Sequence, residues 1–267
     1  AIGSEVDSVV SSLNVLALAV DTQGGDLQAT YDLAVRVVGA DPRLESISLS
    51  APSGQQPFIT SRPFGSELPN SNATALLRPL FEGAARVVSP LVIGAVNKQQ
   101  VVGVARRIDL GPSGTFALRA VVRLDAIGAR FNELDWPSDW TAGVVDQNGI
   151  IIARSRDANR YIGQPATPSV MDSLKKDIGP FRASTKEGQA TVASSAPIPG
   201  TPWYVVVGRP AAALDAQVRD SMATILLAGA LCTLLGIGAA LYTARSISAQ
   251  LRHVVDVHVH GVPDGSM

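Results

Sequence analysis

The chain is poor in the side chains that most enzymes and most nucleic-acid binders depend on. Its 267 residues include one cysteine and three histidines. Cys232 lies inside an uncharged apolar run, and His253, His258 and His260 all follow that run. The preceding region therefore holds no disulfide, no thiol chemistry and no Ser-His-Asp or Cys-His site. A lack of disulfides fits either the cytosol or the periplasm. Lys and Arg number 22 against 23 Asp and Glu, a net charge of −1, and no basic cluster marks an electrostatic footprint. No nucleic-acid partner is expected. Gly111-Pro112-Ser113-Gly114-Thr115 lacks the lysine and the following helix of a phosphate loop. His258-x-His260 with Asp256 sketches a metal site, but a solvated tail is the reading adopted, so neither metal nor cofactor is expected. The chain opens AIGSEVDSVV with no methionine and no visible signal peptide, which reads as a fragment or a chain cut upstream.

What the chain has in abundance is one long apolar stretch near its end. From Ser221 to Ala244 there is no charged residue, and Asp220 and Arg245 bracket the run. About 20 apolar residues at ~1.5 Å each cover the ~30 Å hydrocarbon layer of a bilayer. The glycines Gly229, Gly236 and Gly238 would weaken a helix in water, whereas in lipid Gly236-x-x-x-Ala240 allows close helix approach. Residues 211–244 are read as a juxtamembrane segment and one transmembrane helix. Arg245 and Arg252 then place residues 245–267 as a cytoplasmic tail.

The start of the chain has helical spacing. Val6, Val9, Leu13, Leu16 and Val20 recur at three and four, close to a heptad seam. Gly24 and Gly25 break this helix, Asp26 caps a second one, and Gly39 and Pro42 end that. Residues 1–41 are thus a helical stalk. Beyond Pro42 the pattern changes to alternation. ESISLSAPSGQQPFITSRP reads as a hairpin and TALLRPLFEGAARVV as helix or helix plus loop. PLVIGAV, QVVGVARRI and TFALRAVVRL follow as strand runs. This predicts an antiparallel sheet of about five strands over residues 42–135. A second unit over 136–210 opens with WTAGVVDQNGIIIARS, two strands around a D-Q-N-G turn, and closes with QATVASSAPIP and TPWYVVVGRP.

WTAGVVDQNGIIIARSRDANRYIGQPA and APIPGTPWYVVVGRPAAAL resemble the membrane-proximal half of double-Cache sensor domains. These are PAS-like extracytoplasmic modules of bacterial sensor histidine kinases and chemoreceptors. The resemblance covers residues 1 to about 220 and implies an α+β fold: a long N-terminal stalk helix, two tandem PAS-like antiparallel-sheet domains, and a helix into the membrane.

The resemblance also implies a small ligand, an amino acid or organic acid, in the distal domain. The family's R-x-W-Y-x-x-A pattern can be laid on Arg78 to Ala84. Arg78 stands at the carboxylate-binding arginine, Leu80 replaces the tryptophan and Phe81 the tyrosine. Asp125, in VVRLDAI, falls where the amine-binding aspartate ends the last distal strand. A guanidinium suits a carboxylate because its planar fork matches both oxygens. Arg106 and Arg107 adjoin on one strand, so one of them faces inward. Arg78, Phe81, Arg107 and Asp125 form the expected ligand set. Arg119 and Arg123 lie four apart on the next run and share a face; surface placement with snorkelling stems is the default for such arginines.

The function these readings imply is a non-catalytic sensing and signal-transmitting region at the bacterial inner membrane, with residues 1 to about 220 extracytoplasmic. Its partners would be a small-molecule ligand, membrane lipid and a second copy of the chain. The ligand would act through differential affinity for two arrangements of the distal domain. The missing output module would be a histidine kinase. The competing readings are a membrane-anchored periplasmic enzyme working through Ser-Lys or carboxylate chemistry, and a protein-binding scaffold.

Overall fold

A computed structural model of the chain describes residues 2–22, 26–96, 98–176 and 179–259. They divide into two compact units, residues 1–211 and 212–267.

The first unit begins with two helices, α1 (Ile2–Thr22) and α2 (Leu27–Ala40). Asp26 caps α2 as its chemistry demands, its Oδ1 accepting from the backbone N–H of Gln28 and Ala29. The strands β1 (Leu44–Ser50) and β2 (Phe58–Ile59) follow, then α3 (Thr74–Phe81). Pro79 lacks an N–H to continue α3, which stops two residues later. After β3 (Val87–Val88), β4 (Val92–Ile93), β5 (Gln100–Asp109) and β6 (Thr115–Val122), the chain enters α4 (Leu124–Asn132). Strands β1 to β6 form one antiparallel sheet in the order β2-β1-β6-β5-β3, with β4 also on β5.

A second antiparallel sheet is built from β7 (Thr141–Val145), β8 (Ile151–Arg154), β9 (Phe181–Ser184), β10 (Ala190–Pro197) and β11 (Tyr204–Pro210). Its order is β8-β7-β11-β10-β9. Two helices, α5 (Ala158–Tyr161) and α6 (Pro168–Lys176), lie between β8 and β9 in sequence. The β7–β8 turn is tied by Asp146, fully buried, whose Oδ1 accepts from Asn148 and Ile150 N–H and whose Oδ2 accepts from Leu91 N–H. Gly149 takes a φ of 75° there.

The α+β class, the N-terminal helices and the two antiparallel sheets are as the sequence implies. The details differ at three points. The first sheet has a sixth strand, and the second has β9, too short to stand out in sequence. The last strand of the first sheet ends at Val122, and Asp125 sits in the first turn of α4, where a carboxylate favours the positive helix end.

Strand alternation sorts the first sheet into two faces. Leu44, Ile47, Leu49, Val104, Leu118 and Ala120 join Val9, Leu13 and Leu16 of α1 in the main core. That core also takes in Ala142, Val144, Ile152 and Trp203 of the second sheet region. The opposite face carries Ala105 and Ala117, which cluster with Leu77 and Leu80 of α3.

The second unit is described by α7 (Ala211–Val259). Within it, Met222–Thr243 spans 22 residues with a mean hydropathy of 2.2 and none of it buried, so it is long and apolar enough to cross a membrane. The Ile2–Val20 stretch of α1 is long and apolar enough too, with a mean hydropathy of 1.2. Its apolar face is used differently: Val6, Val9, Leu13, Leu16 and Val20 are buried in the core.

Candidate functional site

The face of the first sheet that α1 and α2 leave uncovered is polar where it is most buried. Along β1, Ile47 and Leu49 point into the core while Ser46, Ser48 and Ser50 point the other way, each at most 2% exposed. Arg119 pairs directly with Ser48 across the β1–β6 ladder. Arg119 is 7% exposed, and its Nε and Nη2 are buried with no hydrogen-bond partner among the described residues. Burial lowers its pKa from the ordinary value, yet a guanidinium stays charged at neutral pH. A fixed positive charge thus stands inside the protein with donors unspent.

The space for it comes from Gly103 on β5. A Cβ at Gly103 would lie 2.6 Å from Arg119 Nε, so any side chain there would force the guanidinium to move. Ser46, Ser48, Val101 and Val121 complete the floor, and Gln56, Ser71 and Asn72 stand at the rim of a cavity of ≈ 30 Å³. Gln56 Nε2 donates to Pro69 O, and Asn72 Nδ2 donates to Ile93 O, which fixes two loops over the sheet. Ala95 and Val96 also wall a larger cleft of ≈ 400 Å³ under residues 62–69, with Arg62, Glu67 and Lys98 among its lining.

No family model matches this chain, and no curated protein matches its sequence. Solved structures do match it in shape. The extracellular domain of a protein named as histidine kinase rpHK1S-Z16 aligns with a TM-score of 0.60 at 10% identity, over 79% of this chain and 92% of that one. The ligand-binding domain of the Pseudomonas aeruginosa amino acid chemoreceptor PctB, in complex with L-Arg, gives 0.57 at 15% identity over 80% and 92%. That of the Pseudomonas fluorescens chemoreceptor CtaA, in complex with L-isoleucine, gives 0.56 at 11% over 81% and 90%. The chain shares the fold of these extracellular and ligand-binding domains.

Arg78, Phe81, Arg107 and Asp125 all lie outside the lining of the Arg119 cavity. Arg78 on α3 is 77% exposed and pairs with Glu82, Nε to Oε1 at 2.8 Å. Phe81 is half-buried beside Leu77 and Leu80. Arg107 is exposed on β5, on the α3 side, while its neighbour Arg106 turns to α1 and donates to Asn14 Oδ1 at 2.5 Å. Asp125 is exposed and bound by Arg123, whose guanidinium holds its carboxyl below the ordinary range. Arg123 follows the end of β6 and lies exposed, so it does not share the buried setting of Arg119. Two of the four are thus spent on ion pairs with near neighbours in sequence. Arg119 is buried, not the surface residue with a snorkelling stem that is the default for such arginines. The signal that separates it is its place in TFALRAVV, a lone charge inside an unbroken apolar strand. His260 lies outside the described residues, and nothing is described of the His258 and Asp256 side chains.

Proposed function

We propose that this chain is the extracytoplasmic sensing and signal-transmitting region of a membrane receptor, and that it binds a small carboxylate-bearing metabolite over its first sheet. The observation that carries this reading is the buried guanidinium of Arg119, with Nε and Nη2 unpaired among the described residues and two buried serines, Ser46 and Ser48, lining the same cavity. Burying a charge without a partner is costly, so such a group is kept where a partner arrives. A carboxylate is the matching partner, because two parallel N–H donors fit its two oxygens. The PctB and CtaA domains, each in complex with an amino acid, share this fold and support the ligand class. The cleft under residues 62–69 offers the volume that the ≈ 30 Å³ cavity lacks.

In this reading residues 42–135 are the membrane-distal domain, 136–210 the proximal one, and 1–41 the stalk. Residues 211–244 carry the signal into and across the bacterial inner membrane to a cytoplasmic tail at 245–267. The output is a histidine kinase, which the likeness to the rpHK1S-Z16 domain supports. The receptor works as a homodimer; Val15 and Leu18 on α1, each 66% exposed, supply apolar surface for it. Catalysis by the chain itself is no part of this reading.

The test is a thermal-shift panel of amino acids and organic acids on the full chain in lipid nanodiscs. A ligand at ~100 Kd stabilises by ~2.7 kcal/mol. That shift should vanish in Arg119→Met, weaken in Gly103→Ala, and persist in Arg78→Ala. A carboxylate whose stabilisation survives Arg119→Met overturns the assignment.

A further inference from the structure

One residue beside the Arg119 cavity breaks the bonding rule of its own sheet. Past the end of β3, Ser89 comes opposite Gly103 of β5, since Val87 pairs with Ala105 and Val88 with Val104. A hydrogen-bonded antiparallel pair exchanges two bonds, each N–H going to the other residue's C=O. Ser89 keeps half of this rule, its N–H donating to Gly103 O at 2.8 Å. The Gly103 N–H instead donates to Ser89 Oγ at 2.7 Å, and that hydroxyl donates in turn to Pro90 O at 2.7 Å. The hydroxyl of Ser89 thus stands in the ladder where its carbonyl would be.

The carbonyl released in this way serves the second sheet. Trp203, the residue before β11, donates from Nε1 to Ser89 O at 3.0 Å. Two residues on, Leu91 N–H donates to Asp146 Oδ2 at 3.0 Å. Ser89, Trp203 and Asp146 are each at most 1% exposed, so water does not compete for these bonds.

The same glycine carries the Arg119 guanidinium. Nε stands 2.6 Å and Nη2 3.2 Å from the position a Cβ of Gly103 would take. Gly103 is therefore pressed by Arg119 on one side and bonded to Ser89 through both of its backbone groups. Its N–H has two acceptors on one residue: the hydroxyl it uses, and the carbonyl of an ordinary ladder. In the second arrangement the carbonyl turns to Gly103 and the Trp203 indole loses its partner. Two discrete arrangements of one element are what coupling between separated groups requires.

We propose that Ser89 is a positioning residue that couples the Arg119 site to Trp203. Its hydroxyl holds Gly103 beneath the guanidinium and frees its carbonyl for the indole. A ligand that draws the guanidinium off Gly103 biases both bonds at once. The ligand half of this statement rests on the carboxylate reading above, whereas the link between Arg119 and Trp203 does not.

The test follows the Trp203 indole N–H by proton–nitrogen NMR on the full chain in lipid nanodiscs, the signal being identified by its loss in Trp203→Phe. Formate, a carboxylate with no side group, is the probe. Ser89→Ala should move the signal upfield, because the carbonyl returns to Gly103 and leaves the indole unbonded. Ser89→Gly also lacks the hydroxyl and serves if the alanine variant misfolds. Arg119→Met should move the signal severalfold more in the native chain than beside Ser89→Ala. Formate should shift it saturably in the native chain, and neither in Arg119→Met nor in Ser89→Ala. An unmoved signal in Arg119→Met or Ser89→Ala, or a response to Arg119→Met that Ser89→Ala leaves undiminished, would overturn the coupling. If Arg119→Met moves the signal and formate does not, the coupling stands and the carboxylate reading falls. If formate stabilises the chain through Arg119 while the signal stays still, the carboxylate reading stands and the coupling falls.

Discussion

If Arg119 is kept for a ligand, the protein without that ligand should gain stability when it is removed. Arg119→Met tests this, because methionine retains an unbranched stem of similar reach and takes away the charge. Two guanidinium nitrogens, Nε and Nη2, are buried with no partner among the described residues. Each unsatisfied buried donor costs ~1–3 kcal/mol, which sums to roughly 2–6 kcal/mol. Part of this is offset by the contacts the guanidinium makes over Gly103, and a net gain of about 2 kcal/mol is the expected outcome. A unit of this size shifts its melting temperature by ~2–4 °C per kcal/mol, so calorimetry on the ligand-free full chain should show a rise of roughly 4–8 °C. The variant would then be both more stable and unresponsive, the trade-off typical of binding sites. A fall in melting temperature would refute the reasoning, since it would mean that the guanidinium serves the fold.

The Arg154 guanidinium, by hydrogen bonding, holds the Glu187 carboxyl down to about 2, against an ordinary value of 4.5. A depressed carboxylate contributes stability that is present above its unfolded value and lost as pH falls through its folded one. The melting temperature should therefore drop between about pH 4.5 and pH 2, and less steeply in Glu187→Gln; identical acid profiles would count against the pair. Trp203, 1% exposed with its Nε1–H on Ser89 O at 3.0 Å, joins the second sheet to the segment before β4. Trp203→Ala should cost about 3–5 kcal/mol in urea unfolding, and a loss below 1 kcal/mol would show that this contact matters little.

Much of the architecture could be read from local chemistry. The spacing of Val6, Val9, Leu13 and Leu16 marks the buried face of α1, Asp26 caps α2, and D-Q-N-G makes the turn between β7 and β8. These features depend on neighbours in sequence, so sequence displays them. The strand β9 is four residues long and is recruited by pairing with β10, a contact that its own residues barely announce. The candidate site is harder to read for the same reason. Arg78 matches a family motif, and its side chain pairs with Glu82 one helical turn away. Arg119 acquires its character from Ser48 on β1 and Gly103 on β5, positions far apart along the chain and adjacent only across the sheet. A lone arginine amid Ala117, Leu118, Ala120 and Val121 was the single local hint.

The main core runs without interruption from Ile2 and Val6 on α1, through Leu118 and Val104, to Ile152 and Trp203. Natural variation is constrained by this continuity. Two sheets with separate interiors could be exchanged between relatives like cassettes, each carrying its own complement of apolar residues. Here a transplanted second sheet would have to bring a match for the underside of α1 and for Ser89. Innovation is therefore channelled to the outer faces, where a loop or a glycine can change and leave the shared interior intact. The Arg119 cavity lies on one of those faces.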